Sequence, residues 1–321
     1  MMRKDGWLRR PLAWLEPRAP GLYDFLTTSE KPKPAMREAL GGFLVLLLLV
    51  SILWGTTGQP LNRSPVVVIE SGSMMRCDQG LYSGISSTQC DGPFGRIGTI
   101  DPGDLVFVKD TDGGTDIQTT AACLEADDRA RHGGCGDTII YRPGGSKIAT
   151  PIIHRAILFL VPHPDGSFDV PACDLQGATR AQVMANACVS AAVPNNVRSG
   201  VDNLLGRYTD DHAYRNLGPD AAGFITLGDN NPGIDQGSTI LGGDWTLIQP
   251  EWVLGKARGE LPWLGLLKLW FTDATGPTDN FARAPSDTKV MMWISLAVLI
   301  GGPTVYETIV KRRRAAREDE E

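Results

Sequence analysis

A run of about twenty uncharged residues near the N-terminus constrains the fold of this chain more than any other feature. Residues 39–58 (ALGGFLVLLLLVSILWGTTG) contain no charged side chain. At about 1.5 Å of rise per residue, a helix of this length crosses the roughly 30 Å hydrocarbon core of a bilayer. We therefore predict a transmembrane helix over residues 39–58. The run lacks a clean cleavage site of small residues, which favours a retained anchor over a removed signal peptide.

A second apolar run lies near the C-terminus, over residues 290–306. Pro303 and Glu307 lie in or beside this run, and its length is close to the lower limit for a span. We predict a second transmembrane helix over residues 290–310, followed by a charged cytoplasmic tail over residues 311–321. A buried amphipathic helix is the alternative interpretation of this segment.

The charges that flank the two runs predict the orientation of the chain in the cell membrane. Basic residues outnumber acidic ones in the N-terminal tail, residues 1–38, and four basic residues at 311–314 follow the second run. Basic flanks stay in the cytoplasm, so both termini are expected there, with residues 59–289 forming an extracytoplasmic domain. That domain has an excess of acidic residues and no basic stripe, which argues against nucleic acid as a partner.

All six cysteines of the chain fall in this predicted outer domain: Cys77, Cys90, Cys123, Cys135, Cys173 and Cys188. An even number of cysteines in an oxidising compartment favours disulfide bonds. Pairing of sequence neighbours joins 77 with 90, 123 with 135, and 173 with 188, which is one of fifteen possible sets. A zinc site from Cys123, His132 and Cys135 is an alternative, but it lacks an obvious fourth ligand. We expect no metal and no cofactor.

Short β-branched segments separated by Gly, Pro and Asp predict an all-β body for the outer domain, joined to its one or two membrane helices. The predicted strands are residues 66–69, 105–109, 138–142, 151–161, 223–227, 246–248 and 252–256. Residues 76–98, 111–137 and 164–222 are rich in Gly, Asp, Asn or Ser, and each holds one proposed cysteine pair. We interpret them as insertions. Residues 261–272, with two Trp and five Leu, are expected to form either an interfacial helix or a core element.

Three short motifs carry side chains suited to acyl transfer. Ser71-Gly72-Ser73-Met74-Met75 follows the first strand, and its glycine permits a turn that exposes a hydroxyl group. His154 lies in a later strand, and the segment 228–235 offers two carboxylates, Asp229 and Asp235. Each motif alone has an ordinary structural explanation as a turn, a packed histidine or a hairpin loop. Together they supply the serine, base and carboxylate that nucleophilic acyl transfer requires.

At this point the sequence resembles the type I signal peptidases, in the Ser-His-Asp form found in archaea and the endoplasmic reticulum. Five short segments match in the family's order: Ser71–Met75, Gly103–Val106, Ile153–Arg155, Gly228–Asp235 and Val253–Ala257. The resemblance implies a signal-peptidase-like β fold with loop insertions. Bacterial members have a lysine base where this chain has His154. Lys147 lies nearby in a Gly-Gly-Ser turn and gives a Ser-Lys arrangement as the alternative.

The resemblance implies a membrane-bound serine endopeptidase that removes signal peptides after a small residue of an A-x-A site. Ser73 is then the nucleophile and His154 the general base. Asp235 orients the histidine, with Asp229 as the second candidate or a support of its loop. Ser71 is a candidate donor to the oxyanion.

The expected substrate contacts lie around the nucleophile. Val66 and Val68 belong to the strand that an extended peptide could join, and Met74 and Met75 form an apolar lining or, alternatively, plain core. The expected partners are preproteins with signal peptides, the lipid bilayer and the protein-export channel. Two other functions stay open: a non-catalytic, disulfide-stapled receptor or structural ectodomain, and a self-cleaving serine peptidase on the same scaffold.

Overall fold

A computed structural model describes residues 34–75, 99–128, 132–210, 221–275, 279–284 and 286–318. The chain divides into two compact units, Met1–Thr56 and Thr57–Glu321. In the described part of the first unit, helix α1 runs from Pro34 to Thr57. Its segment Leu40–Thr57 is long and apolar enough to cross a membrane, and no other described helix meets both conditions. This agrees with the predicted N-terminal anchor, and it leaves the orientation open.

The second unit contains an eight-stranded sheet in which all pairs are antiparallel. Its strands are β1 (Val66–Val68), β2 (Leu105–Lys109), β3 (Thr138–Tyr141), β4 (Ile152–Pro162), β5 (Phe168–Val170), β6 (Leu175–Ala178), β7 (Gly223–Leu227) and β8 (Val253–Leu261). The spatial order is β1-β2-β8-β3-β4-β5-β6, and β7 pairs with β4. The predicted strand over residues 246–248 is present only as an isolated bridge from Ile248 to Phe224.

Strand β4 connects the parts of the sheet. Its eleven residues are mostly β-branched or large and apolar, and most of them are buried. Its first four residues pair with β3, the stretch from Arg155 to Leu160 pairs with β7, and its last two pair with β5. His154 and Arg155 therefore lie where β3, β4 and β7 meet.

The mainly β fold of this unit is confirmed, but two of the predicted loop insertions contain helices. Residues 111–137 include α2 (Thr120–Glu125), and residues 164–222 include β5, β6, α3 (Arg180–Ala185), α4 (Ala187–Ala192) and α5 (Arg198–Asp210). Thr179 and Gln182 form a capping box that starts α3. In α5, residues 201, 204, 205 and 208 are buried at helical spacing against β4 and its neighbours. We call α3, α4 and α5 the helical layer.

The described residues contain two disulfide bonds, and both follow the pairing of sequence neighbours. Cys123 of α2 is bonded to Cys135, and Cys173 is bonded to Cys188 of α4. The sulfur atoms of Cys123 and Cys135 are bonded to each other, so they are not free to bind zinc as the alternative required. The third predicted pair, Cys77 with Cys90, lies in residues 76–98, outside the described residues.

Strand β8 is followed by three helices, α6 (Leu266–Thr275), α7 (Asn280–Arg283) and α8 (Ser286–Glu318). Leu266 and Leu269 are fully buried, whereas Phe271 is 57% exposed, so α6 has a core face and an exposed apolar face. Helix α8 continues past Pro303, but its apolar stretch, Thr288–Gly302, is shorter than a span requires. The second transmembrane helix therefore stays a prediction.

Candidate active site

Ser73 lies in a short 3-10 turn, Gly72–Met74, directly after β1. The turn is closed by the N–H of Met75, which donates to the carbonyl of Gly72 at 3.1 Å. Met74 is 1% exposed and packs with Ile69, among other core residues, while Ser73 is half-buried. Met74 therefore anchors the turn in the apolar core, while Ser73 faces the cleft.

The placement of the two methionines differs from the predicted lining of the substrate site. Met74 and Met75 are 1% and 3% exposed, and neither lines the cleft next to Ser73. The core alternative describes both residues. The physical reason is the short turn, which directs Ser73 to the cleft and the side chain after it into the sheet.

The loop after β7 braces the serine turn from the other side. The N–H of Asn230 donates to the carbonyl of Ser73 at 2.8 Å, and its Nδ2 donates to the carbonyl of Gly72 at 3.1 Å. A Cβ atom at Gly228 would lie 2.7 Å from the Ser73 carbonyl oxygen. Such a contact is too close, so this approach of the two chains requires glycine.

The three side chains proposed for acyl transfer meet in one hydrogen-bonded line. His154 Nε2 lies 2.9 Å from Ser73 Oγ, and His154 Nδ1 lies 2.7 Å from Asp235 Oδ2. Both distances are those of good hydrogen bonds. His154 is 2% exposed and Asp235 is fully buried, so water competes little with either contact. The positions 73, 154 and 235, distant in sequence, are thus brought together.

The Asp235 carboxylate is held in its ionised form by its neighbours. Burial by itself raises the pKa of this group, but the attraction and hydrogen bond of His154 outweigh that effect, helped by Thr226 and Tyr141. The net result is a pKa below the ordinary value of an aspartate. The Tyr141 hydroxyl donates to Oδ2 at 2.7 Å, and the Thr226 hydroxyl donates to it at 2.6 Å.

Asp229 serves another partner. Arg155 donates from Nε to Asp229 Oδ1 at 2.8 Å and from Nη2 to Asp229 Oδ2 at 2.6 Å, and both side chains are about 1% exposed. Successive residues of a strand point to opposite faces, which explains why His154 reaches Asp235 while Arg155 reaches Asp229. Asp229 therefore supports the loop, as the sequence suggested for it, and Asp235 contacts the histidine.

Arg155 also links this loop to the disulfide-closed segment before β3. Its Nη1 donates to the carbonyls of Gly136 at 2.8 Å and Gly134 at 3.3 Å, and its Nη2 donates to that of His132 at 3.1 Å. We call residues 123–136, closed by Cys123 and Cys135, the clamp loop. One buried guanidinium thus connects the clamp loop with the loop that braces Ser73.

Two other predicted residues lie at different distances from the reacting group. Ser71 Oγ lies 3.2 Å from Ser73 Oγ, so Ser71 is part of the site. Lys147 is exposed, beyond the turn Pro143–Gly145, and the basic group in contact with Ser73 is His154. The Ser-His-Asp arrangement is therefore the one that the side chains adopt.

The serine and histidine lie at a cleft of about 800 Å³. Its walls are largely aliphatic, with Val66, Val68, Ile140, Ile152 and Ile153 among the lining residues. The N–H of Val108 in β2 donates to the carbonyl of Pro65, and Ile69 bonds through its backbone to Gly103 and Asp104, directly before β2. Residues of an antiparallel strand alternate in direction. The N–H and C=O of Val68 therefore point away from β2, along the open edge of β1.

Four residues that shape this site were not predicted from the sequence: Tyr141, Arg155, Thr226 and Asn230. The signal for Tyr141 is the register of β3 against β4, in which Ile139 pairs with His154. Tyr141 lies two residues further along the same face, which is within reach of a neighbouring site. The sequence predicts both strands but not this register.

Comparison with known proteins found no relative of this chain. No family model matches the chain, and neither a curated protein nor a solved structure matches it. Within the described residues, no group of three or more His, Cys, Asp or Glu side chains is arranged to hold a metal ion.

Proposed function

We propose that the protein is a membrane-bound serine endopeptidase that removes signal peptides from exported preproteins. The observation that carries the proposal is the hydrogen-bonded line from Ser73 Oγ through His154 to Asp235, at the side of an open cleft. The same three groups perform acyl transfer on several unrelated folds. The resemblance of the five sequence segments narrows this chemistry to signal peptides.

The reaction follows from the order of the three side chains. Ser73 Oγ attacks the carbonyl carbon of the scissile bond, and His154 Nε2 takes the hydroxyl proton. The ionised Asp235 stabilises the protonated imidazole through Nδ1. His154 then delivers the proton to the leaving amine, which leaves an acyl-enzyme on Ser73. Water, deprotonated by His154, attacks the acyl carbon. The bond to Ser73 Oγ then breaks, His154 returns the proton to this oxygen, and the signal peptide is released.

The negative charge that develops on the carbonyl oxygen requires donors near Ser73. Ser73 lies in the first turn of a 3-10 segment, where backbone N–H groups have no partner within the turn. The Ser73 N–H and the Ser71 hydroxyl are the proposed donors. One donor of this kind stabilises the transition state by about 2.7–4 kcal/mol.

The cleft suits an extended peptide with small apolar side chains. Val68 offers backbone groups along the edge of β1, so a substrate strand could add to the sheet there. The aliphatic walls from β1 and β4 favour small apolar side chains over charged ones. A catalytic domain outside the cell membrane, with both termini in the cytoplasm, would face preproteins as they leave the export channel.

The test uses the full-length protein in detergent micelles and a model preprotein with an A-x-A site. Wild type should produce one shortened product, cut after the small residue, as read by mass spectrometry. Ser73→Ala and His154→Ala should each lower the rate at least about 10³-fold, since single triad members act as a unit. Ser167→Ala and His163→Ala are the matched controls, because both residues lie in the exposed turn between β4 and β5.

Three outcomes would contradict the proposal. If wild type leaves the preprotein uncut, the non-catalytic ectodomain becomes the better explanation. If the only new product is a fragment of the enzyme itself, a self-cleaving peptidase becomes the better explanation. Equal rates for wild type and Ser73→Ala would exclude Ser73 as the nucleophile.

A further inference from the structure

One oxygen of the buried Asp235 carboxylate receives three donors. His154 Nδ1, the Tyr141 hydroxyl and the Thr226 hydroxyl lie 2.7, 2.7 and 2.6 Å from Oδ2. The other oxygen, Oδ1, is buried and has no hydrogen-bond partner among the described residues. The carboxylate is thus bound through a single atom, which is also the atom that faces the histidine.

We propose that Tyr141 and Thr226 are positioning residues, which fix Asp235 Oδ2 against His154 and weaken its attraction for the histidine proton. This inference rests on the proposed function, because it assigns the two hydroxyl groups a part in the same proton transfer. Within the described part of the chain, the hydroxyl groups of both residues bond to Asp235 and not to Ser73, so both act through Asp235.

Adjacent strands of the sheet hold the Asp235 carboxylate in place. The three donors come from β3, β4 and β7, and both β3 and β7 pair directly with β4. The backbone of Asp235 is tied to the same place, because its N–H donates to the carbonyl of Thr226 at 3.0 Å. The carboxylate therefore cannot rotate or shift without breaking bonds to three strands. Such fixed geometry is what efficient proton transfer requires.

The electrostatic part follows from the number of donors. A carboxylate oxygen that already accepts from two hydroxyl groups is a weaker acceptor for a third donor. The titratable groups that act on the Asp235 carboxyl are His154 from β4 and Tyr141 from β3, while Thr226 from β7 is uncharged. Burial and the nearby Asp235 raise the pKa of Tyr141 well above its ordinary value, so its hydroxyl keeps its proton and remains a donor.

The test measures the Asp235–His154 pair itself and the reaction separately. The chain contains four histidines, so ¹⁵N-histidine labelling of the full-length protein gives few ring signals. The His154→Gln variant assigns the signal of His154. In Tyr141→Phe and in Thr226→Val we expect the titration of this signal to move to higher pH by about 0.5–1 unit, since Oδ2 then holds the histidine proton more strongly. The acid limb of kcat/KM should move with it, and kcat should fall about three- to tenfold.

Two control variants separate positioning from ordinary stability. Tyr208→Phe removes another buried tyrosine hydroxyl, which accepts from the N–H of Leu247 at 3.2 Å in the core beneath the helical layer. It should lower the melting temperature without moving the titration. Thr226→Ser keeps the hydroxyl and should restore both the titration and the rate toward wild type.

A His154 titration in Tyr141→Phe and Thr226→Val that matches wild type would overturn the inference, even if both variants are less stable. The same holds if Tyr208→Phe moves the titration equally. Failure of the proposed function gives a different result, in which wild type does not cut the preprotein at all. The ring titration remains measurable in that case, so the two failures are distinguishable.

Discussion

The two aspartates of the loop after β7 have different partners, and the difference sets their roles. Asp235 contacts His154, while Asp229 neutralises the buried guanidinium of Arg155. Removing either carboxylate leaves a different group unsatisfied. In the first case the histidine loses its orienting acceptor, and in the second the buried guanidinium loses the carboxylate that it contacts.

We predict that Asp235→Asn and Asp229→Asn separate catalysis from stability. Asp235→Asn should lower kcat by about 10⁴-fold, because an amide cannot hold the imidazole in the required tautomer. Asp229→Asn should lower the free energy of unfolding by about 3–5 kcal/mol, the usual cost of removing one partner of a buried ion pair. Denaturant unfolding and single-turnover cleavage measure the two quantities. If folded Asp229→Asn loses more kcat than Asp235→Asn, then Asp229 and not Asp235 is the aspartate that supports catalysis.

The buried carboxyl group of Asp104 makes the stability of the second unit, Thr57–Glu321, depend on pH. It is 3% exposed and accepts from the backbone N–H groups of Asp101 and Trp263. Burial raises its pKa to about 8, and the neighbouring carboxylates of Asp101 and Glu260 add to the rise. The folded state therefore keeps a proton that the unfolded state loses near pH 4. The stabilising contribution is complete below about pH 4 and is lost as pH rises through about 8.

We predict that Asp104→Asn removes this pH dependence. Thermal unfolding of wild type and variant should be compared at pH 5, 6, 7 and 8, so that the other titrating groups cancel in the difference. The melting temperature of wild type should fall relative to that of the variant over this range. A constant offset between the two proteins would mean that Asp104 ionises in the folded state as it does in the unfolded state.

The sequence alone was enough to propose which residue types form the candidate site. Histidine is scarce in this chain, and His154 lies in a predicted strand, while Ser73 follows another. The loop after β7 carries the two candidate carboxylates. The choice between Asp229 and Asp235 depends on which face of β4 each approaches, and Tyr141 depends on strand register. A sequence shows strands and their alternation but not how two strands are aligned, so these details needed the structure.

At the scale of elements, the clamp loop is connected to the site by the hydrogen bonds of Arg155. Three of its carbonyls accept from the guanidinium, which in turn binds Asp229 beside the residue that braces Ser73. The second disulfide closes a loop of similar length, with a sequence separation of 15 residues against 12, but joins a turn to the helical layer. The two bonds therefore form a matched pair for comparison.

We predict that the two disulfides have similar effects on stability and different effects on activity. Removing either one, as Cys123→Ser with Cys135→Ser or as Cys173→Ser with Cys188→Ser, should lower the free energy of unfolding by about 2–5 kcal/mol. Only the first double variant should also lower kcat in protein that is still folded, because it loosens the acceptors of Arg155. Cleavage rates and denaturant unfolding test both points. Equal kcat in the two double variants would show that the clamp loop does not reach the site.

Prediction of the elements succeeded where periodicity was simple. The strands over residues 105–109 and 223–227 have the bounds that the β-branched runs indicate. The helical layer was missed because α3 and α4 have only six residues each, too few to show helical periodicity, and α5 follows a Pro-Asn-Asn turn. Their stability comes from packing on β4, and a non-local contact of this kind leaves little trace in local composition.

At the scale of the whole molecule, the two long helices differ in how well their length fits a bilayer. The segment Leu40–Thr57 of α1 meets the requirement, while the apolar stretch of α8 covers about 22 Å at 1.5 Å per residue. The predicted span, residues 290–310, would cover about 31 Å and would include Glu307 near one end. Along α8, Val290, Val298 and Ile300 are 57%, 65% and 76% exposed, so these side chains require a covering.

We predict that lipid covers them and that α8 crosses the membrane. Tags at both ends of the full-length chain should then be protected from protease added outside sealed, right-side-out vesicles, while residues 59–289 are digested. Detergent should expose both tags, which controls for resistance of the tags themselves. The basic residues 311–314 favour this topology, because basic flanks stay in the cytoplasm. A C-terminal tag that is cut together with the domain, while the N-terminal tag survives, would place α8 on the outer surface and leave α1 as the single anchor.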